Sequence, residues 1–245
     1  MSSKFSTRIN NEKNFHDTRF SLDQKKSKIY KYGLYKWYED YFQLIKKTRG
    51  KTLEIGAGLE SCFLESKSLK NKIIQGELKV TSIDISEIAV KNCQNLTFEG
   101  LNFMIEDAHT LKNIEIEKLD NIVGRGIVHH LEIDLFIKNL TRNSKKQLTY
   151  IFAEPMRGPF YIRFYRFLTP KIRTIDEHPL TIYDLNKFKL SFKGKQRRKY
   201  YGFLTLLVSF FGFKSKTLEN IDEFILNKLN LGRFLAWAVI IHNIE

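Results

Sequence analysis

Between residues 51 and 155, short apolar runs alternate with amphipathic ones at a nearly even spacing. Residues 52–55, 80–83, 101–105, 119–123 and 148–153 read as strands, the last stopped by Pro155, and residues 61–69, 87–94 and 128–140 read as helices. Apolar runs this short, bounded by turn residues, fit strands covered on both faces. Strand and helix in alternation mean βαβ units and therefore a parallel sheet flanked by helices. Crossovers in such units are right-handed, and ligands gather beyond the carboxyl ends of the strands. The expected fold class is a doubly wound α/β sheet, with its site at those ends.

The 245 residues suffice for one such domain and not comfortably for two. Residues 1–20 read as a polar, mobile arm. A helix follows, in which Tyr30, Leu34, Trp37, Tyr41 and Leu44 share one face. Beyond Pro155, residues 192–201 read as a sixth strand, 203–211 and 218–229 as helices, and 234–242, after the breaker Gly232, as a final strand. The expected organisation is an arm and helix over 1–50 and one ligand-binding domain over 51–245. A helical insert at about 203–229 is expected to cover the substrate pocket, because its Leu and Phe residues must bury against something.

Forty-one Lys and Arg against 27 Asp and Glu leave a formal charge of +14. That excess fits an anionic partner (nucleic acid, a membrane surface or an acidic substrate) and equally fits a general lysine bias. The basic run at 193–199 adjoins the apolar stretch 200–213, a pairing that suits peripheral contact with an anionic membrane. No apolar leader is visible, and no run reaches the roughly 18 to 20 residues that a membrane span needs. Cys62 and Cys93 show neither CxxC nor metal-ligand spacing, so reduced thiols, a cytoplasmic location and no metal are expected.

The first strand runs into Leu53-Glu54-Ile55-Gly56-Ala57-Gly58. Glycines at a strand-to-helix turn let a ligand approach the backbone, and the helix start offers free N–H groups. The third glycine of the dinucleotide fingerprint is missing: Glu60 and Ser61 stand there. A glutamate at that point repels a pyrophosphate, which counts against a nicotinamide or flavin enzyme, but it tolerates a cationic ligand. The second strand ends on Asp84 and Ile85, where a carboxylate can accept both hydroxyls of a ribose. The third is followed by Glu106-Asp107-Ala108, where an acid can accept the exocyclic amine of adenine. Glu54, Asp84 and Asp107 thus mark the ends of three successive parallel strands.

In order, LEIGAG, SIDIS, EDAHTL and GRGIVHHLE resemble the motif series of class I S-adenosyl-L-methionine (SAM)-dependent methyltransferases. The HHL element is similar to the small-molecule branch called methyltransferase types 11 and 12. Residues 154–181, with Glu-Pro, Tyr-Arg, Thr-Pro and Asp-Glu-His-Pro-Leu elements, resemble a bacterial subset of that branch. The resemblance implies a Rossmann-like sheet ending in an antiparallel strand and SAM as methyl donor. It implies that Glu54, Gly56, Ala57 and Gly58 surround the methionine part, that Asp84 with Ile85 holds the ribose, and that Asp107 with Ala108 meets the adenine. Arg125 and Gly126 would lie near the transferable methyl. The chain departs from the pattern at Glu60, which replaces the last glycine of the turn, and in the long interval from Gly58 to Asp84.

Methyl transfer from a sulfonium is an in-line displacement, driven largely by alignment. An oxygen nucleophile also needs a base, and histidine suits that role. His129 and His130 begin the helix after the fourth strand, and adjacent helical residues point about 100° apart. One of them should face the site; His129 is the expected one. His16, Arg157 and His178 are candidates for holding the acceptor, and Arg157, Arg163, Arg166 and Arg173 together suit an anionic group. The expected activity is methylation of a small-molecule or lipid-like acceptor, on oxygen by preference. An RNA or protein methyltransferase, favoured by the charge, and a non-catalytic SAM-fold binding protein are the alternatives. The absence of an NPPY or DPPY tetrapeptide after the fourth strand makes nucleic acid the weaker partner.

Overall fold

The computed structural model describes residues 3–21, 28–142, 147–169, 174, 177–209 and 211–244. Seven strands form one sheet: β1 (Gly50–Ile55), β2 (Leu78–Asp84), β3 (Leu101–Ile105), β4 (Asn121–Arg125), β5 (Thr149–Pro155), β6 (Arg197–Tyr201) and β7 (Ala238–His242), in the order β3-β2-β1-β4-β5-β7-β6. The first five pair in parallel, while β7 runs antiparallel to both β5 and β6. The order reverses direction at β1 and β4, so a crevice opens beyond their carboxyl ends. Ile55 pairs with Ile83 on one side and Gly124 on the other, which brings the ends of β1, β2 and β4 level there.

Side chains alternate between two apolar cores. Leu53, Ile122, Phe152, Val239 and Ile241 enter one core with Phe136 and Phe188; Val80, Val123, Ile151, Ala153 and Ile240 enter the other with Trp37, Tyr41 and Phe63. This is the period of two expected for strands covered on both faces. The helices are α1 (Ser3–Phe20), α2 (Tyr35–Ile45), α3 (Lys67–Ile74), α4 (Glu87–Gln94), α5 (Ile133–Thr141), α6 (Phe160–Leu168), α7 (Ile182–Ser191), α8 (Leu204–Ser209), α9 (Lys216–Asp222) and the single turn α10 (Gly232–Leu235). Among the described residues, no helix is long and apolar enough to cross a membrane, and both cysteines are buried and unpaired.

Several local expectations need correction. The strands read at 192–201 and 234–242 are confined to β6 and β7, and the turn α10 takes the start of the second. The N-terminal arm is the helix α1, of 18 residues. The helix read at 61–69 starts at Lys67, because Glu54 captures the Ser61 hydroxyl and the Cys62 N–H and holds that stretch in turns. The helix read at 128–140 is a short 3₁₀ turn (Val128–His130) followed by α5, because the Glu154 carboxylate takes the backbone N–H groups of Ile127, Val128 and His129. None of the described residues of the 203–229 insert lines the main crevice. The insert packs beyond β6, where the Asp222 carboxylate accepts from the N–H groups of Phe203, Leu204 and Thr205, and Leu206 closes on Gly33.

Candidate functional site

A cavity of about 440 Å³ lies at the carboxyl ends of β1, β2, β3 and β4, roofed by α1. A larger open groove of about 630 Å³ lies at the opposite ends of the strands, lined by Lys51, Lys79 and Leu101. The first is the candidate site, because parallel sheets bind ligands at their carboxyl ends.

After β1 the chain turns through Gly56 and Gly58 at φ +66° and +60°. A Cβ on Gly56 would stand 2.7 Å from Ile127, so this residue is required both by conformation and by space. Gly56, Ala57 and Gly58 line the cavity. Glu54 does not: it lies beneath the loop, accepting from Ser61 Oγ (2.5 Å), Ser82 Oγ (2.6 Å) and Cys62 N (2.8 Å). The expected direct contact of Glu54 with a ligand is therefore replaced by a part in shaping the glycine turn.

Asp84 lines the cavity and accepts from Gly58 N and Ser86 N, each at 2.9 Å. Burial pushes its carboxyl upward, against the pull of those two N–H groups. Ile85, Asp107 and Ala108 line the same space. Asp107 is held by His109, whose backbone N–H and ring Nδ1 meet one carboxylate oxygen at 2.9 and 2.7 Å. His109 Nε2 lies 3.0 Å from the N–H of Glu132. That bond makes Nε2 the acceptor, so the tautomer carries its proton on Nδ1 and donates to Asp107.

After β4, Arg125 and Gly126 reach the cavity. The Arg125 guanidinium lies over the Tyr38 ring (4.8 Å) and donates from Nη2 to Glu65 at 2.8 Å. Among the described residues, its buried Nη1 has no hydrogen-bond partner. The two histidines then part company. His130 lines the cavity, with Nδ1 3.1 Å from Glu12 Oε2 and its ring edge-on to His16 at 5.2 Å. His129 faces away from the cavity: its Nδ1 meets Glu154 Oε2 at 2.8 Å, inside the protein. One histidine of the pair faces the site as the spacing required, but it is His130 and not His129. The 3₁₀ turn imposed by Glu154 sets that choice, and a plain α-helix would not predict it.

Of the acceptor candidates, His16 lines the cavity; Arg157 and His178 are exposed and do not. Arg166 pairs with Glu177 (3.5 Å) and lies over Trp237, and Arg173 lies outside the described residues. Sequence reasoning missed Glu12, Glu65, His109 and Glu154. Glu12 and His16 stand one helical turn apart, a signal legible only to a reader who takes 1–20 as a helix. Burial alone would raise the Glu12 carboxyl, but the imidazoles of His130 and His16 and the Thr174 hydroxyl hold it well below the usual carboxylate range.

No family model matches the sequence, and no curated protein is recognisably similar to it. Solved structures are. A SAM-dependent methyltransferase from Archaeoglobus fulgidus is 18% identical, with a TM-score of 0.52 over 83% of this chain and 89% of that one. Magnesium protoporphyrin IX methyltransferase from Synechocystis PCC 6803 is 13% identical, with a TM-score of 0.55 over 96% and 98%. Geranyl diphosphate C-methyltransferase from Streptomyces coelicolor A3(2) is 8% identical, with a TM-score of 0.57 over 85% and 79%. The chain has the class I methyltransferase fold. In that fold the cavity described above stands at the switch point of the sheet, where the glycine turn, Asp84 and Asp107 converge.

Proposed function

We propose that the protein transfers a methyl group from SAM to a small-molecule or lipid-like acceptor, with oxygen favoured as the nucleophile. The observation that carries this reading is the convergence of the Gly56–Gly58 turn, Asp84 and Asp107 on one cavity, in a fold shared with solved methyltransferases. In this reading the methionine part lies along the glycine turn, and the unpartnered Nη1 of Arg125 takes its carboxylate. The ribose hydroxyls donate to Asp84, and the adenine amine donates to Asp107 beside Ala108. Asp107 is fixed for that role by His109.

An oxygen acceptor sheds its proton as it attacks. The α1 wall supplies Glu12 and His16, and the β4 turn supplies His130, all on the cavity surface. These are groups that can assist the loss. A roofed cavity of this size fits a ligand of modest mass better than a folded protein or a duplex. The acceptors that the similar structures are named for, a porphyrin and an isoprenoid diphosphate, are of that class. The test is transfer of labelled methyl from SAM into fractionated extract. Label in a small organic-soluble fraction supports the reading, whereas label in RNA or protein moves the chain to another acceptor class.

A further inference from the structure

We propose that Glu12, His16 and His130 form a binding site for a divalent transition-metal ion at the acceptor end of the cavity. The inference rests on the reading of the cavity as a methyl-transfer site and adds a group to it.

The three side chains come from two separate elements, α1 and the turn after β4, and their ligand atoms all lie within 4.8 Å of one another. Glu12 Oε2 is 3.1 Å from His130 Nδ1 and 3.5 Å from His16 Nε2. Ligands about 2.0 to 2.1 Å from a tetrahedral ion stand about 3.3 Å apart, and around an octahedral ion about 3.0 Å. Both observed edges are close to these spacings. Glu12 Oε2 is also fully buried and, among the described residues, accepts no aligned hydrogen bond, although two imidazole nitrogens stand beside it. Buried carboxylate oxygens are ordinarily satisfied, and a cation between the three atoms would satisfy this one. The other oxygen, Oε1, accepts from the Thr174 hydroxyl at 2.6 Å, which fixes the carboxylate plane as the outer partners of metal ligands commonly do. Arg8 Nη2 donates to the backbone oxygen of His130 at 2.9 Å and ties the two ligand-bearing elements together. A neighbouring trio of His129, His130 and Glu177 is the weaker choice, because His129 Nδ1 is engaged by Glu154 and His129 does not face the cavity.

Two imidazoles and one carboxylate suit zinc, iron(II), cobalt or manganese, and a three-ligand site leaves a position open to the cavity. An acceptor hydroxyl taking that position loses its proton to water more readily, because the ion stabilises the resulting oxyanion. That oxygen forms the new O–CH3 bond as the C–S bond breaks. The electron pair returns to sulfur, which leaves as a neutral thioether.

The test is a cobalt(II) titration of the full chain after chelator treatment, read by visible absorption, with zinc(II) calorimetry as a second measure. One ion per chain is expected. Glu12→Gln and His16→Ala should each weaken binding at least tenfold; both changes sit on α1, outside the two apolar cores, so the sheet stays folded. Absence of stoichiometric binding up to millimolar metal overturns the proposal, as does equal binding by wild type and both variants. SAM calorimetry on the metal-free chain tests the cofactor reading separately, and its outcome does not bear on the metal result.

Discussion

Glu154 gathers four hydrogen bonds onto one fully buried carboxylate: the backbone N–H groups of Ile127, Val128 and His129, and the ring of His129. Replacement by Ala leaves those donors buried without an acceptor. We expect a loss of about 3 kcal/mol or more in chemical denaturation, the scale of an opened buried polar network. The same pair sets a pH signature. Burial pushes the Glu154 carboxyl up to about 7, against the pull of the three N–H groups. Burial, then Arg166, pushes His129 down to about 3. The raised carboxyl contributes stability that is full below its ordinary 4.5 and lost as pH rises through 7. The lowered imidazole contributes stability that is present above its ordinary 6.5 and lost as pH falls toward 3. Between pH 4.5 and 6.5 the two slopes oppose and cancel. Glu154→Gln removes the carboxyl's share, so the gap in Tm between wild type and variant should widen as pH falls from 6.5 to 4.5. A constant gap would show that the pair does not titrate in this way.

At the scale of elements, α1 is held differently from the rest of the chain. None of its described side chains joins either apolar core. Its attachments are polar: Arg8 to Glu132, Lys13 to Glu87, Asp17 to Ser86 and Glu12 toward His130. Deleting residues 1–21 should therefore leave the circular dichroism and cooperative unfolding of the sheet intact while weakening ligand binding at the cavity it roofs. Collapse of the fold on deletion would contradict this. Such a helix was hard to read in the sequence, because polar docking leaves no apolar stripe in a segment like Asn10-Asn11-Glu12-Lys13. The strands were legible as short apolar-rich runs between turn residues: β4 and β5 are buried almost throughout, whereas the edge strand β3 alternates between buried and exposed residues; residues 101–105 and the helix at 87–94 match β3 and α4 to the residue. The turns at 59–66 and 127–132 were not legible, because single buried carboxylates, Glu54 and Glu154, override local helix preference there. The capping box of Thr181 and Asp184 at the start of α7 is a legible S/T-x-x-acid signal. Asp84, Asp107 and the glycine turn, expected from the strand ends, line one cavity. Glu12 and His109 were not expected, because their roles depend on which chain segments meet.

At the scale of the whole molecule, α6 offers a second surface suited to a membrane beside the expected 193–199 run, in which Lys193, Lys195 and Arg197 are exposed. Within that run, Lys199 is paired with Asp40 and Arg198 bonds to Gln196 and Asn186. On α6, by contrast, Phe160, Phe164 and Phe167 are 73%, 59% and 79% exposed along one helical face, with Arg163 also exposed. An apolar face flanked by arginine is the pattern of a helix lying on an anionic bilayer. Phe164→Asp with Phe167→Asp should abolish sedimentation with phosphatidylglycerol vesicles at low salt and leave SAM affinity unchanged. Wild-type protein that fails to sediment with such vesicles removes the membrane contact from the account. Isothermal calorimetry of the wild-type chain and Asp84→Ala with SAM and with NAD asks whether the cavity at the carboxyl ends of β1 to β4 binds SAM. SAM should bind in the micromolar range, more weakly in Asp84→Ala by about 1 to 3 kcal/mol through lost bonds to a charged acceptor, and NAD should give no heat. Binding of NAD without SAM, or SAM binding indifferent to Asp84, would contradict the SAM reading of the cavity.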